Sequence, residues 1–171
     1  MRNYTAKFDA SQTMFNDKVK FDFGMFGSKV EKRYLNDHQK TFYSAASYNP
    51  TFPTFANEDG TWPEDPNANE TQNPLGRLTI EDKESNTYIN ANARITWNVL
   101  EDLKLSAFGS YTYNIKENSN YIPNNIKAGI GNGGSASKSD NKSYSLLGNF
   151  IANYKRAIDK HYIDILGLAE I

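Results

Sequence analysis

The chain has 171 residues, of which 38% are hydrophobic, and a net charge of -1; its mean hydropathy is -0.71. That length suits one domain with a sizeable core, and the apolar runs fall far short of the ~20 residues that a membrane-spanning helix needs. The balanced charge offers no basic field for nucleic acid, and the lack of cysteine excludes disulfides, thiol chemistry and zinc–thiolate sites.

Residues 2–15 open on an alternation that places Tyr4, Ala6, Phe8 and Ala10 on one face and Asn3, Thr5, Lys7 and Asp9 on the other. Period 2 means a strand. Asn16-Asp17 reads as a turn, and a second strand, about 18–34, carries Val19, Phe21, Phe23 and Met25 on its apolar face. Residues 35–83 read as a long loop. It opens on a short helix capped by Asp37, with Phe42, Tyr43, Ala45 and Ala46 as a partial apolar face, and Asn49-Pro50 ends that helix. Alternation is clearest in 84–100, where Ile89, Ala91, Ala93, Ile95, Trp97 and Val99 interleave with Asn90, Asn92, Arg94, Thr96 and Asn98. Glu101-Asp102 turns the chain into a strand at 103–116. A second long loop spans 117–140. Strands at 141–157 and 161–171 follow, joined near Asp159-Lys160.

The predicted fold is all-β: an antiparallel meander of about six long strands in three hairpins, a segment of a transmembrane β-barrel. Strands near 15 residues span about 50 Å, and a tilt of about 45° brings that close to a bilayer crossing. Short turns at one end and long loops at the other are the asymmetry of outer-membrane barrels. On this reading Asn90, Asn92, Arg94, Lys104, Ser106, Asn149 and Asn153 face the lumen. Trp97, Tyr111, Tyr113, Tyr144 and Tyr154 form an interfacial girdle. The loop aromatics Tyr43, Tyr48, Phe52, Phe55, Trp62 and Tyr121 are candidates for stacking on substrate or packing on a lid. The alternative is a soluble β-rich binding or adhesin module.

No catalytic, cofactor or metal site is expected, and the chain is not read as an enzyme. Gly129-Ile130-Gly131-Asn132-Gly133-Gly134 fits the dinucleotide fingerprint in letters only, since no strand precedes it and no helix follows. Asp65, Asn67 and Asn69 mimic the start of a calcium loop, but Glu70 and Gly76 stand where Gly and Glu are required. His38 and His161 fall in different elements, and Glu81-Asp82 reads as a solvated pair.

Ala46-Ser47-Tyr48-Asn49-Pro50-Thr51-Phe52-Pro53 resembles a segment of the SusC/RagA-like TonB-dependent transporters of Bacteroidetes. Asn16-Asp17-Lys18-Val19-Lys20-Phe21 is similar to that family's periplasmic hairpin turn. Gln72-Asn73-Pro74-Leu75 is similar to its Asn-Pro segment, and Leu103 to Tyr111 resembles one of its barrel strands. The resemblance implies an outer-membrane barrel of about 22 strands around a plug. It further implies a SusD-like surface lipoprotein as partner, TonB as the source of force, and import of oligosaccharides or peptides. Neither a plug, a TonB box nor a signal peptide is expected in this stretch, so it reads as a barrel fragment.

Overall fold

A computed structural model describes residues 1–67 and 71–171. The chain forms one six-stranded antiparallel sheet in the order β1-β2-β3-β4-β5-β6, and among the described residues that sheet is not closed. The strands are β1 (Arg2–Met14), β2 (Val19–Tyr34), β3 (Glu81–Leu100), β4 (Leu103–Ile122), β5 (Ser135–Ile158) and β6 (His161–Glu170). Three short helices lie in the long connections: α1 (His38–Ser47), α2 (Pro74–Arg77) and α3 (Lys127–Ile130).

Two compact units divide the chain. The first holds Met1–Arg2, Val30–Ser85 and Lys116–Asn141; the second holds Asn3–Lys29, Asn86–Ile115 and Lys142–Ile171.

The second unit contains the short turns. Phe15–Lys18, Glu101–Asp102 and Asp159–Lys160 join successive strands. Asn16, Asp17 and Asp159 adopt positive φ, a conformation that Asn and Asp tolerate better than most residues. Register fixes the faces. Phe150, Ala152 and Tyr154 of β5 stand opposite Ala169, Gly167 and Ile165 of β6, while Asn149, Asn153 and Lys155 stand opposite Glu170, Leu166 and Asp164. A ring contact between Phe8 and Phe23 at 6.2 Å joins β1 to β2 on the apolar face.

The first unit contains the hydrophobic side chains that are buried, Tyr48, Ile80 and Ile126. Around them lie buried polar groups: Thr41, Ser44, Thr71, Asn73 and Arg77. Asp37 caps α1 by accepting from the Lys40 N–H. The expected apolar face of α1 is corrected: Thr41 and Ser44 turn inward, while Phe42 and Tyr43 are exposed. The inward side is held by hydrogen bonds. Thr41 Oγ1 donates to the Asn36 carbonyl and accepts from buried Arg77 Nε.

The second loop is shorter than the sequence pattern implies. β4 continues to Ile122 and β5 begins at Ser135, so the loop proper is 123–134 rather than 117–140. Lys116 to Asn120 and Ser135 to Asn141 are almost wholly polar or small on both faces. The ladder continues there without the apolar alternation that marks a strand. In the loop, α3 and its glycines make a tight structural turn. A Cβ on Gly129 would lie 1.9 Å from the Pro123 carbonyl oxygen, and Gly134 has φ +89. Gly129→Ala is expected to force the 123–134 backbone apart, at a cost of about 1–3 kcal/mol. Faster amide exchange confined to 123–134 would show it, and unchanged exchange would refute it.

Candidate functional site: a two-faced sheet and a hydrogen-bonded loop

In the second unit the polar face is a connected surface. Asn90 Nδ2 donates to Ser110 Oγ at 3.2 Å and to Thr112 Oγ1 at 2.8 Å, and Asn92 Nδ2 donates to Asn90 Oδ1 at 3.3 Å. The Arg94 guanidinium lies 5.1 Å from the centre of the Phe108 ring, a cation–π contact. Nearer the turns, Asn153 donates to Asp164 and Lys155 pairs with Asp164 at 3.0 Å. Lys104, Asn153, Lys155 and Asn98 line a recess of about 520 Å³ there. Asn149 sits half-buried opposite Glu170. Of the seven residues placed in the lumen by sequence, Asn90, Asn92 and Arg94 lie together on β3, and Lys104 and Asn153 share the recess.

The apolar face is the opposite case. In this unit no hydrophobic side chain among the described residues is buried. Phe8, Ile95, Trp97, Tyr111, Tyr144, Leu146 and Phe150 are all exposed, Leu146 by 74%. Tyr113 and Tyr154 are half-buried. A soluble antiparallel sheet places its apolar face against a core and leaves the polar face wet. Each large apolar side chain left in water forfeits roughly 1.5–3 kcal/mol. An exposed apolar face this continuous marks a contact surface.

The first unit gathers the loop residues. Asn73, only 1% exposed, is the hub. Its Nδ2 donates to the carbonyls of Thr54 and Pro63, both at 3.0 Å, and its Oδ1 accepts from the Leu75 and Gly76 amides that open α2. Pro74 suits the first helical position because it has no N–H to satisfy. The Asn73 N–H donates to Glu64 Oε2 at 2.8 Å. Tyr48 Oη donates to the Pro53 and Pro63 carbonyls. Phe52 meets Tyr48 edge-on at 6.5 Å, and Trp62 lies where a Cβ on Gly76 would fall, 2.9 Å from Cγ. Tyr48, Phe52 and Trp62 therefore hold the loop together, whereas Tyr43, Phe55 and Tyr121 are exposed.

No family model matches this chain, and no curated protein matches it.

Charge in the loop is arranged around the same hub. Burial raises the Glu64 carboxyl above its ordinary value, against the opposing Asn73 N–H and the nearby Lys127. Burial, then the Glu64 and Asp65 carboxylates, push the Tyr48 hydroxyl up, so it remains a neutral donor. For Glu64, a folded pKa above the unfolded one means that the folded unit binds the proton more tightly. Its stabilising contribution is complete below the ordinary carboxylate range and is lost as pH rises through the raised value. The thermal midpoint of the loop unit should therefore fall between mildly acidic and neutral pH, and Glu64→Gln should flatten that slope. An identical slope in the variant would refute the assignment.

Only part of the calcium-loop mimic, Asp65 and Asn67, lies among the described residues. Asp65 accepts from the Asn67 N–H and from Asn49 Nδ2, and Asn69 and Glu70 lie outside the described residues. Among the described residues no three His, Cys, Asp or Glu side chains converge to hold a metal. His38 starts α1 and His161 starts β6. A recess of about 610 Å³ lies in the first unit, lined by Arg2, Arg33, Lys83 and Lys138 and by Glu31 and Glu117. Near it Glu84 bridges Lys32 at 3.2 Å and Lys116 at 2.9 Å, pinning three strands. Among the described residues no helix is long and apolar enough to cross a membrane, which leaves crossing by strands open.

Proposed function

We propose that this chain forms part of the wall and outer loops of a TonB-dependent, SusC/RagA-like transporter in a bacterial outer membrane. The full transporter takes up oligosaccharides or peptides with a SusD-like surface lipoprotein, TonB acting through the plug. The role is nutrient uptake, without catalysis or cofactor.

One observation carries the reading: a long-stranded sheet whose apolar face is open while its polar face is hydrogen-bonded. Lipid is the solvent that such a face fits. The dimensions support it. From Ile89 to Val99, ten steps of about 3.3 Å give roughly 33 Å, which a tilt of about 40° reduces to about 25 Å, the height of an outer-membrane apolar band. Ordinary strands average about 5–6 residues, whereas β3 and β4 each have 20.

β1 and β6 are the edges of the sheet and contain no proline to blunt them. Edges cannot face lipid unpaired, because their backbone groups would be unsatisfied. Light scattering of the purified chain in buffer without detergent should therefore show aggregates or edge-paired oligomers. A monodisperse, cooperatively folding monomer would favour the soluble binding module and overturn the membrane reading.

A further inference from the structure

We propose that the recess beside Arg2 and Arg33 in the first unit binds a phosphate group carried by a glycolipid of the outer leaflet. The phosphate is inferred from the recess itself, and its lipid carrier rests on the transporter reading. The recess measures about 610 Å³, within the range of ligand sites. What distinguishes it is a surplus of donors. Every carboxylate that lines it is already engaged: Glu84 bridges Lys32 and Lys116, Glu117 meets Lys138 at 3.5 Å, and Glu31 too has a partner. Lys83 is matched to Glu81 at 2.6 Å. Among the described residues no carboxylate pairs with Arg2 or Arg33. Ser85 also lines the recess, and its Oγ is buried with no hydrogen-bond partner among the described residues.

Two unpaired guanidiniums and a buried hydroxyl without an acceptor call for one anion that can serve all three. A phosphate monoester has three acceptor oxygens and a charge near two, and guanidinium forks match it in bidentate geometry. The side of the sheet on which these donors lie points to the carrier. On each strand they keep step with exposed apolar side chains. Arg2 is an even number of residues from Phe8, Arg33 from Met25, and Lys83 and Ser85 from Ile89. Even spacing places them on the apolar side of their own strands, at the ends that lead into the long loops. In an outer membrane those ends stand level with the headgroups of the outer leaflet, whose glycolipid carries phosphate on its sugars. Basic pockets at headgroup level hold anionic lipids in the same way.

The test uses the full chain, ¹⁵N-labelled and folded in detergent micelles, with three probes: diphosphoryl lipid A, the same lipid stripped of phosphate, and inorganic phosphate. Lipid A is expected to shift the Nε–H signals of Arg2 and Arg33 and the backbone amide of residue 85. The stripped lipid should shift none of them, and inorganic phosphate should do so only at far higher concentration. Replacing both arginines, Arg2→Gln with Arg33→Gln, should weaken lipid A binding about tenfold or more, read at the residue 85 amide. Lys7→Gln with Lys160→Gln removes the same charge away from the recess and should leave binding unchanged. Ser85→Ala keeps the charge and the strand and should weaken binding severalfold. An equal response to the stripped lipid, undiminished binding without the two arginines, or an equal loss in the lysine pair would overturn the site. Equal affinity for inorganic phosphate would overturn the lipid carrier. Contacts from detergent protons to Trp97 and Tyr111, recorded on the same sample, report on the membrane reading by themselves. With those contacts present and no response to lipid A, the site alone fails; with them absent, the transporter reading fails, and inorganic phosphate alone decides the recess.

Discussion

Replacing Ile95 with arginine is expected to destabilise the micelle-folded sheet by about 2–4 kcal/mol, the cost of a cation near the middle of a lipid-facing barrel surface. Ile95 is 46% exposed and lies mid-way along the apolar run of β3. On a water-facing sheet the same exchange at a half-exposed site would change stability by no more than about 0.5 kcal/mol. The two solvents therefore give answers that differ several-fold. Asn92→Ala, on the opposite face, provides the contrast, since it removes one hydrogen bond and should cost only about 0.5–1.5 kcal/mol. Denaturant titration in micelles measures both. Near-equal, small effects would mean that the apolar face does not meet hydrocarbon.

Asn73→Ala is expected to cost the loop unit about 3–5 kcal/mol. Four side-chain hydrogen bonds near 3 Å disappear together, each contributing about 0.5–1.5 kcal/mol, and the Thr54 and Pro63 carbonyls lose a buried donor. Aspartate at 73 should restore little, because it keeps the acceptor for α2 but has no N–H for those carbonyls. Limited proteolysis should then cut within 48–67, where the wild-type loop resists. Wild-type resistance in the alanine variant would show that the loop is held by other means.

The sheet was legible because alternation is a strong local signal. Ile89 to Val99 carries it without interruption and Leu103 to Ile115 with Phe108 as its one break, and Asp-centred turns separate the strands. Strand ends were less legible. From Lys116 to Asn120 both faces are polar, so pairing there rests on backbone hydrogen bonds and on partners distant in sequence. The loop hub was half visible. Asn73-Pro74 carries a helix-start signature, but its partners at Thr54 and Pro63 are set by the folded loop, not by spacing. The pattern at Phe42, Tyr43, Ala45 and Ala46 misled about α1, because the Arg77–Thr41 bond and not apolar burial sets which side turns inward. Phe26 and Tyr88 were overlooked because each interrupts a face that otherwise reads as polar; only the β2–β3 register brings them together.

The most direct test of the central claim is a spin-label scan of β3 from Ile89 to Asn98 in lipid bilayers, made simple by the absence of native cysteine. Oxygen partitions into hydrocarbon and a charged or polar nickel chelate into water, so their collision rates report which solvent each label meets. The expected result is alternation with period 2: oxygen high and chelate low at Ile89, Ala91, Ala93, Ile95 and Trp97, reversed at Asn90, Asn92, Arg94, Thr96 and Asn98. Chelate access at the odd positions, or no alternation, would contradict the account.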